Sequence, residues 1–115
     1  MMKLAMAQMA MSKDMEANFQ KSYDFVRQAA GADLIFFPEV QHMPFLPKYE
    51  AAELPEKLGK KRDDYLLRPD DAHVTAFNEL ARQSQCMVSP NLYLQYGGQA
   101  YDTSLFIDKD GRLLG

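Results

Sequence analysis

The 115-residue chain has one cysteine, no excess of positive charge and no long apolar run. Each absence removes a class of protein. With Cys86 alone there is no internal disulfide and no cysteine-based zinc site. A lone free thiol fits a reducing compartment, so a cytoplasmic location is expected. Thirteen Lys and Arg stand against sixteen Asp and Glu, a net charge of −3, whereas sequence-blind phosphate binders carry a basic excess. No nucleic-acid partner is therefore expected. No stretch approaches the ~20 apolar residues that a membrane span requires, and no membrane partner is expected either. Lys3 and the run 4–11 loosely imitate a secretory leader. That run is short, rich in alanine and broken by Gln8, so a first buried strand is the better reading. Internal repeats, linkers and low-complexity tracts are also missing. What is present is the balance of a globular domain, 47 % hydrophobic and 25 % charged. A chain of this size can bury about two-thirds of its unfolded surface in one core.

The periodicity sets out an α/β order. Residues 3–9 read as a strand. Ser12-Lys13-Asp14 breaks it and supplies an N-cap, and Phe19, Tyr23, Val26 and Ala29/Ala30 then recur at steps of three and four. That spacing predicts a helix over 15–30, closed by a left-handed cap at Gly31. Leu34-Ile-Phe-Phe37 lies between Gly31 and Pro38 and predicts a strand buried on both faces. Strand, helix and strand in this order predict a parallel pair. Residues 40–69 hold four prolines and no sustained period, which marks a functional or disordered connection; Phe45, Leu46, Tyr49, Leu54, Tyr65 and Leu66 argue for ordered packing. Lys57 to Arg62 is a basic run followed at once by Asp63-Asp64, and reads as a solvated surface. Asp70-Asp71 caps a second helix to Ser84, with Val74, Phe77, Leu80 and Ala81 as its apolar stripe. Residues 86–94 read as one strand with a bulge or free edge at Pro90. Gly97-Gly98 turns it into a strand over 101–107. Asp108 to Gly111 is a tight turn into a further strand from Arg112.

Glu39 is the leading candidate for chemistry. It follows the carboxyl end of a buried parallel strand, where open α/β sheets bind ligands. Desolvation there would raise the carboxyl toward the range of a general base; the same position also suits a glutamate that bridges a loop. Cys86 has apolar neighbours and no nearby base, and reads as a buried structural thiol. His42 and His73 lie on different elements without ligand spacing, and no metal or cofactor site is expected. The eight methionines read as core filler, and Ser89 and Ser104 lack a nucleophile signature.

Three blocks carry a resemblance. Lys3-Leu-Ala-Met-Ala-Gln8 is followed by Asn18 in the first helix, then by Gly31-Ala-Asp-Leu-Ile-Phe-Phe-Pro-Glu39, then by Tyr101-Asp-Thr-Ser-Leu-Phe-Ile-Asp-Lys-Asp-Gly111. In order and spacing they resemble the amino-terminal part of the nitrilase, or carbon–nitrogen hydrolase, superfamily, over essentially the whole chain. Asp102 departs from the asparagine that the family often has. The resemblance implies an α/β fold: the front half of an α-β-β-α sandwich, a mixed sheet with two helices on one face. Residues 1–115 would form one partial nitrilase-like domain. It also implies hydrolysis of a small amide or nitrile by a glutamate base, a lysine and a nucleophilic cysteine. The glutamate carries over onto Glu39. Lys60, Lys61, Lys109 and Cys86 do not match the family's lysine and cysteine. The expected partners are a complementary hydrolase half, or a second copy packed sheet to sheet. The alternative function is a catalytically inactive truncated relative acting as an oligomerising domain.

Overall fold

The computed structural model describes residues 1–44 and 50–115. Strand β1 (Leu4–Met6) leads into helix α1 (Met15–Gln28), and the chain returns through β2 (Leu34–Phe36). A connection that holds, among its described residues, the short helix α2 (Leu54–Leu58) and two single-turn 3₁₀ segments leads to helix α3 (Ala72–Ser84). Strands β3 (Met87–Ser89), β4 (Asn91–Tyr96) and β5 (Gln99–Ser104) complete the order. The first three strands form a parallel sheet in the order β1-β2-β3, and β4 and β5 form an antiparallel hairpin.

The two long helices form for the reasons read from their sequences. The Asp14 carboxylate accepts from the Ala17 N–H at 3.3 Å and caps α1, and Asp71 accepts from the His73 N–H at 2.8 Å and caps α3. These bonds satisfy N–H groups that the first turn leaves unpaired. Phe19, Tyr23 and Val26 of α1 and Val74, Phe77, Leu80 and Ala81 of α3 are buried in one core. Phe77 is its centre, edge-on to Tyr23 at 5.1 Å and to Phe37 at 6.0 Å. Helix α1 ends at Gln28, and Ala29 rather than Gly31 is its C-cap. Gly31, at φ +96°, turns the chain two residues later.

Register decides which strand residues meet the helices. Ala5, Ile35 and Val88 are aligned across the parallel sheet and join the helical core. Alternate residues point the other way. On that second face Leu4 is 56 % and Met6 78 % exposed, and Phe36 is only half-buried. The strand over 34–37 is thus not buried on both faces along its length.

One expected strand is two. Pro90 separates β3 from β4, and the two belong to different sheets. A proline has no N–H for a ladder, and the Pro90 carbonyl instead accepts from Leu105 at 3.0 Å. Beyond β5, Ile107 exchanges two backbone bonds with Val88 in antiparallel sense, at 2.9 and 3.0 Å. The parallel sheet so gains a mixed edge. The turn at Gly111 docks on α3: a Cβ there would stand 2.7 Å from the Asn78 carbonyl oxygen, and the Asn78 amide donates to the Gly111 carbonyl. In the connection, Leu54, Leu58, Tyr65 and Met43 form a second, smaller core. Phe45, Leu46 and Tyr49 lie outside the described residues.

A charged clamp joins the helices. His73 Nε2 meets the Glu16 carboxylate of α1, and Nδ1 lies 3.2 Å from Asp71. The ring stacks on Phe19 at 4.8 Å, and the His73 carbonyl accepts from the Tyr23 hydroxyl at 2.6 Å. Burial alone would lower the His73 pKa, but the hydrogen bonds and charges of Glu16 and Asp71 together raise it above its ordinary value. A raised folded-state pKa gives stability that is full below the unfolded value of 6.5 and lost as pH climbs through the folded one. We expect the melting temperature to fall as pH rises from 6.5 through the raised folded-state pKa, and the fall to shrink in His73→Gln. An unchanged pH dependence in that variant would contradict the clamp.

Candidate active site

The sheet delivers Glu39 to the protein surface in three steps. Strand β2 ends at Phe36, and Phe37 swings back onto α3 against Phe77. Pro38 adds no N–H to be satisfied. Residues 39–43 then form a turn, in which Met43 N–H donates to the Val40 carbonyl at 3.1 Å. Val40 has φ +43°. A β-branched residue in the left-handed region is strained by about 1–3 kcal/mol and persists only when its surroundings impose it.

Those surroundings are Asn91, the first residue of β4. Its Oδ1 accepts from the Val40 N–H at 2.5 Å. Its backbone N–H donates to Gln41 Oε1 at 2.8 Å, and its carbonyl accepts from the Gln41 N–H at 3.0 Å. Its amide nitrogen donates to the Ser104 hydroxyl of β5 at 3.0 Å. The buried Gln41 amide also donates to Ser22 of α1 at 3.0 Å. Asn18, one turn earlier on α1, donates to the carbonyls of His42 at 3.0 Å and Ser12 at 2.7 Å. The strained residue and the two that follow it are therefore fastened to the helix and to the hairpin.

Glu39 itself is exposed. Its carboxyl is raised above the ordinary 4.5, first by a hydrogen bond with the Asp102 carboxyl, then by the charge of Asp102, and least by burial. The expectation of a base tuned by desolvation is thus corrected: a second carboxylate, not a dry wall, sets its character. Beside the turn, Met6, Gln8, Met9, Phe36, Phe37 and Pro38 are among the walls of a hollow of about 380 Å³ at the carboxyl ends of β1 and β2.

The other candidates lie apart from Glu39. Cys86 is fully buried at the amino end of β3, and in a parallel sheet that is the end opposite Glu39. Burial pushes its thiol pKa up, the reverse of an activated nucleophile. His42 is fully buried, with Nε2 2.9 Å from the Tyr65 carbonyl. Burial lowers its pKa to about 4, so it is neutral; a neutral ring facing a carbonyl donates, which leaves Nδ1 as the acceptor. Nδ1 has no partner among the described residues. His42 and His73 both stack on Phe19, at 5.5 and 4.8 Å. Ser89 is buried and Ser104 serves Asn91. Among the described residues no group of three His, Cys, Asp or Glu could hold a metal ion. Val40, Gln41 and Asn91 were not legible as site residues from the sequence, since their partners lie up to 51 positions away, and Asp102 is further still from Glu39.

Comparison with known proteins places this geometry in a family. No curated protein sequence matches the chain. Solved structures do match, and they show the fold. A carbon–nitrogen hydrolase from Helicobacter pylori G27 superposes with a TM-score of 0.75 at 16 % identity, over 99 % of this chain and 38 % of its own. Saccharomyces cerevisiae Nit3, a member of branch 10 of the nitrilase superfamily, gives 0.67 at 19 %, over 99 % and 42 %. An amidase from Nesterenkonia sp. AN1, in complex with butyramide, gives 0.67 at 20 %, over 98 % and 41 %. The chain thus spans about two-fifths of the length of these neighbours. The model of the carbon-nitrogen hydrolase family matches residues 3–115, and the chain belongs to that family.

Proposed function

We propose that this chain carries the general base, Glu39, of a hydrolase that opens the carbon–nitrogen bond of a small amide or nitrile. The observation that carries this reading is the fixed, exposed carboxylate on a strained turn at the carboxyl end of the central strand. Strain of this kind gathers at functional sites, and a raised carboxyl is a better proton acceptor than an ordinary one. Glu39 takes the proton of an attacking thiol, and a lysine steadies the charge that develops on the substrate. The attacking thiol comes from residues outside the 115, since Cys86, the one cysteine here, is buried at the far end of the sheet. The butyramide bound to the amidase neighbour is a small aliphatic amide, and the hollow beside the turn is of a size for such a molecule. The test uses the longest polypeptide that the native gene yields. Glu39→Gln is expected to lower amide turnover by about 10²–10⁴-fold with an unchanged melting temperature. Turnover retained at the wild-type level would overturn the assignment.

The exposed face of the parallel sheet favours a second reading, an interaction domain. Leu4, Met6 and Phe36 lie on the side away from the helices. Covering ~500 Å² of such surface is worth ~12 kcal/mol at ~25 cal/mol per Å², as much as a whole domain's stability. In a longer polypeptide a second sheet covers this face, and in the isolated chain a second copy does. Light scattering of the 115-residue chain at micromolar concentration should therefore report a dimer or larger. A monodisperse 13.1 kDa monomer would contradict this.

A further inference from the structure

Strand β4 has a second edge, and Gln41 fills its first rung. On the side away from β5, the Tyr93 carbonyl accepts from the Leu67 N–H at 3.0 Å, and the Gln95 N–H donates to the Leu67 carbonyl at 2.8 Å. The connection before α3 touches that edge as one isolated parallel bridge. Both Asn91 groups on this edge go instead to Gln41. The Gln41 N–H donates to the Asn91 carbonyl at 3.0 Å, and Gln41 Oε1 accepts from the Asn91 N–H at 2.8 Å. Half of this rung is backbone and half is side chain.

The other end of the Gln41 amide is equally specified. The side chain is fully buried, and its nitrogen donates to Ser22 Oγ at 3.0 Å. Ser22 has one hydroxyl proton, which goes to the Asn18 carbonyl at 2.9 Å, with the Met9 sulfur at 3.8 Å as the longer alternative. Toward Gln41 the hydroxyl therefore accepts. Position 41 thus demands one acceptor, for Asn91, and one donor, for Ser22, on a single short group. A neutral amide supplies both, whereas a carboxylate supplies only the acceptor.

We propose that Gln41 is a positioning residue for Glu39: its amide splices the turn, two residues beyond Glu39, to the β4 edge and to α1 at once, and so fixes where the Glu39 carboxyl stands. The inference rests on the reading of Glu39 as the base. Between the splice and Glu39 stands only Val40, at its left-handed φ of +43°. Without the amide, the Asn91 N–H loses its acceptor, the Ser22 hydroxyl loses its donor, and Val40 is free to relax to an ordinary φ. Such a relaxation carries Glu39 with it, and a displacement of about 1 Å at a reacting group costs about 10²-fold in rate.

The test compares Gln41→Met and Gln41→Glu in the longest polypeptide that the native gene yields. Gln41→Met keeps the length of the side chain but supplies neither hydrogen bond. Its kcat for a small aliphatic amide is expected to fall about 10–100-fold with KM little changed. Its Val40 amide should exchange with solvent faster, measured against Ile35 and Val88 of the central strands. Gln41→Glu carries a pH signature. Burial favours its neutral acid, whose carbonyl accepts from Asn91 and whose hydroxyl donates to Ser22. Neither of those partners titrates. Of the neighbouring groups on the turn, His42 is buried and neutral, and Glu39, on which Asp102 of β5 acts, titrates in the wild type too. Relative to wild type at the same pH, Gln41→Glu should regain turnover and Val40 protection toward acid and lose both toward alkali. If Gln41→Met fails to fold, this variant carries the test alone. Val40 exchange unchanged in the variants, or a Gln41→Glu defect equal at every pH, would overturn the proposal. So would wild-type turnover in Gln41→Met while Glu39→Gln is inactive. A freed Val40 in a protein whose Glu39→Gln variant still hydrolyses amides would remove the base assignment alone.

Discussion

The position of Glu39 depends on one asparagine. Val40 holds a backbone conformation that its branched side chain opposes, at a cost of about 1–3 kcal/mol. Asn91 answers with its side-chain oxygen on the Val40 N–H and two backbone bonds with Gln41. Each such bond is worth about 1 kcal/mol net, so together they cover the strain with little to spare. Gln41 then passes the constraint to Ser22 of α1, and Asn91 passes it to Ser104 of β5. A turn that would otherwise sample many conformations is fixed between helix and hairpin.

The layers explain why the site faces outward. Both long helices pack together on one side of the parallel sheet, through Phe19, Tyr23 and Phe77 and through the His73 clamp. The opposite side keeps Leu4 and Met6 in the open, and the hollow at the strand ends borders the Glu39 turn. Family membership fits this one-sided burial, because the chain spans about two-fifths of its structural neighbours. In the family's sandwich the second sheet lies on the side that the helices leave.

How much of this was legible in the sequence follows from the range of the interactions. The helices were, because their apolar stripes and their caps Asp14 and Asp71 are local signals. The parallel pairing followed from the strand–helix–strand order, and the Gly97-Gly98 hairpin from two residues that both take positive φ. The division of 86–94 at Pro90 was half legible: the missing N–H showed, but the change of sheet depends on Ile107 pairing with Val88. Glu39 was legible as a candidate through its place after a buried strand. Its supports were not, because Asn91 and Asp102 reach it only through tertiary packing. Asp102 stood out beforehand only as a departure from the family's asparagine.

If Asn91 holds the turn as described, the Val40 and Gln41 amides open only when the hairpin leaves the turn. Native-state hydrogen exchange measures this directly, since amides freed only by large-scale opening exchange with free energies near that of global unfolding. The account predicts that both amides exchange as slowly as those of Ile35 and Val88 in the central strands. Exchange of Val40 and Gln41 at the rate of an exposed loop, with the central strands still protected, would contradict it.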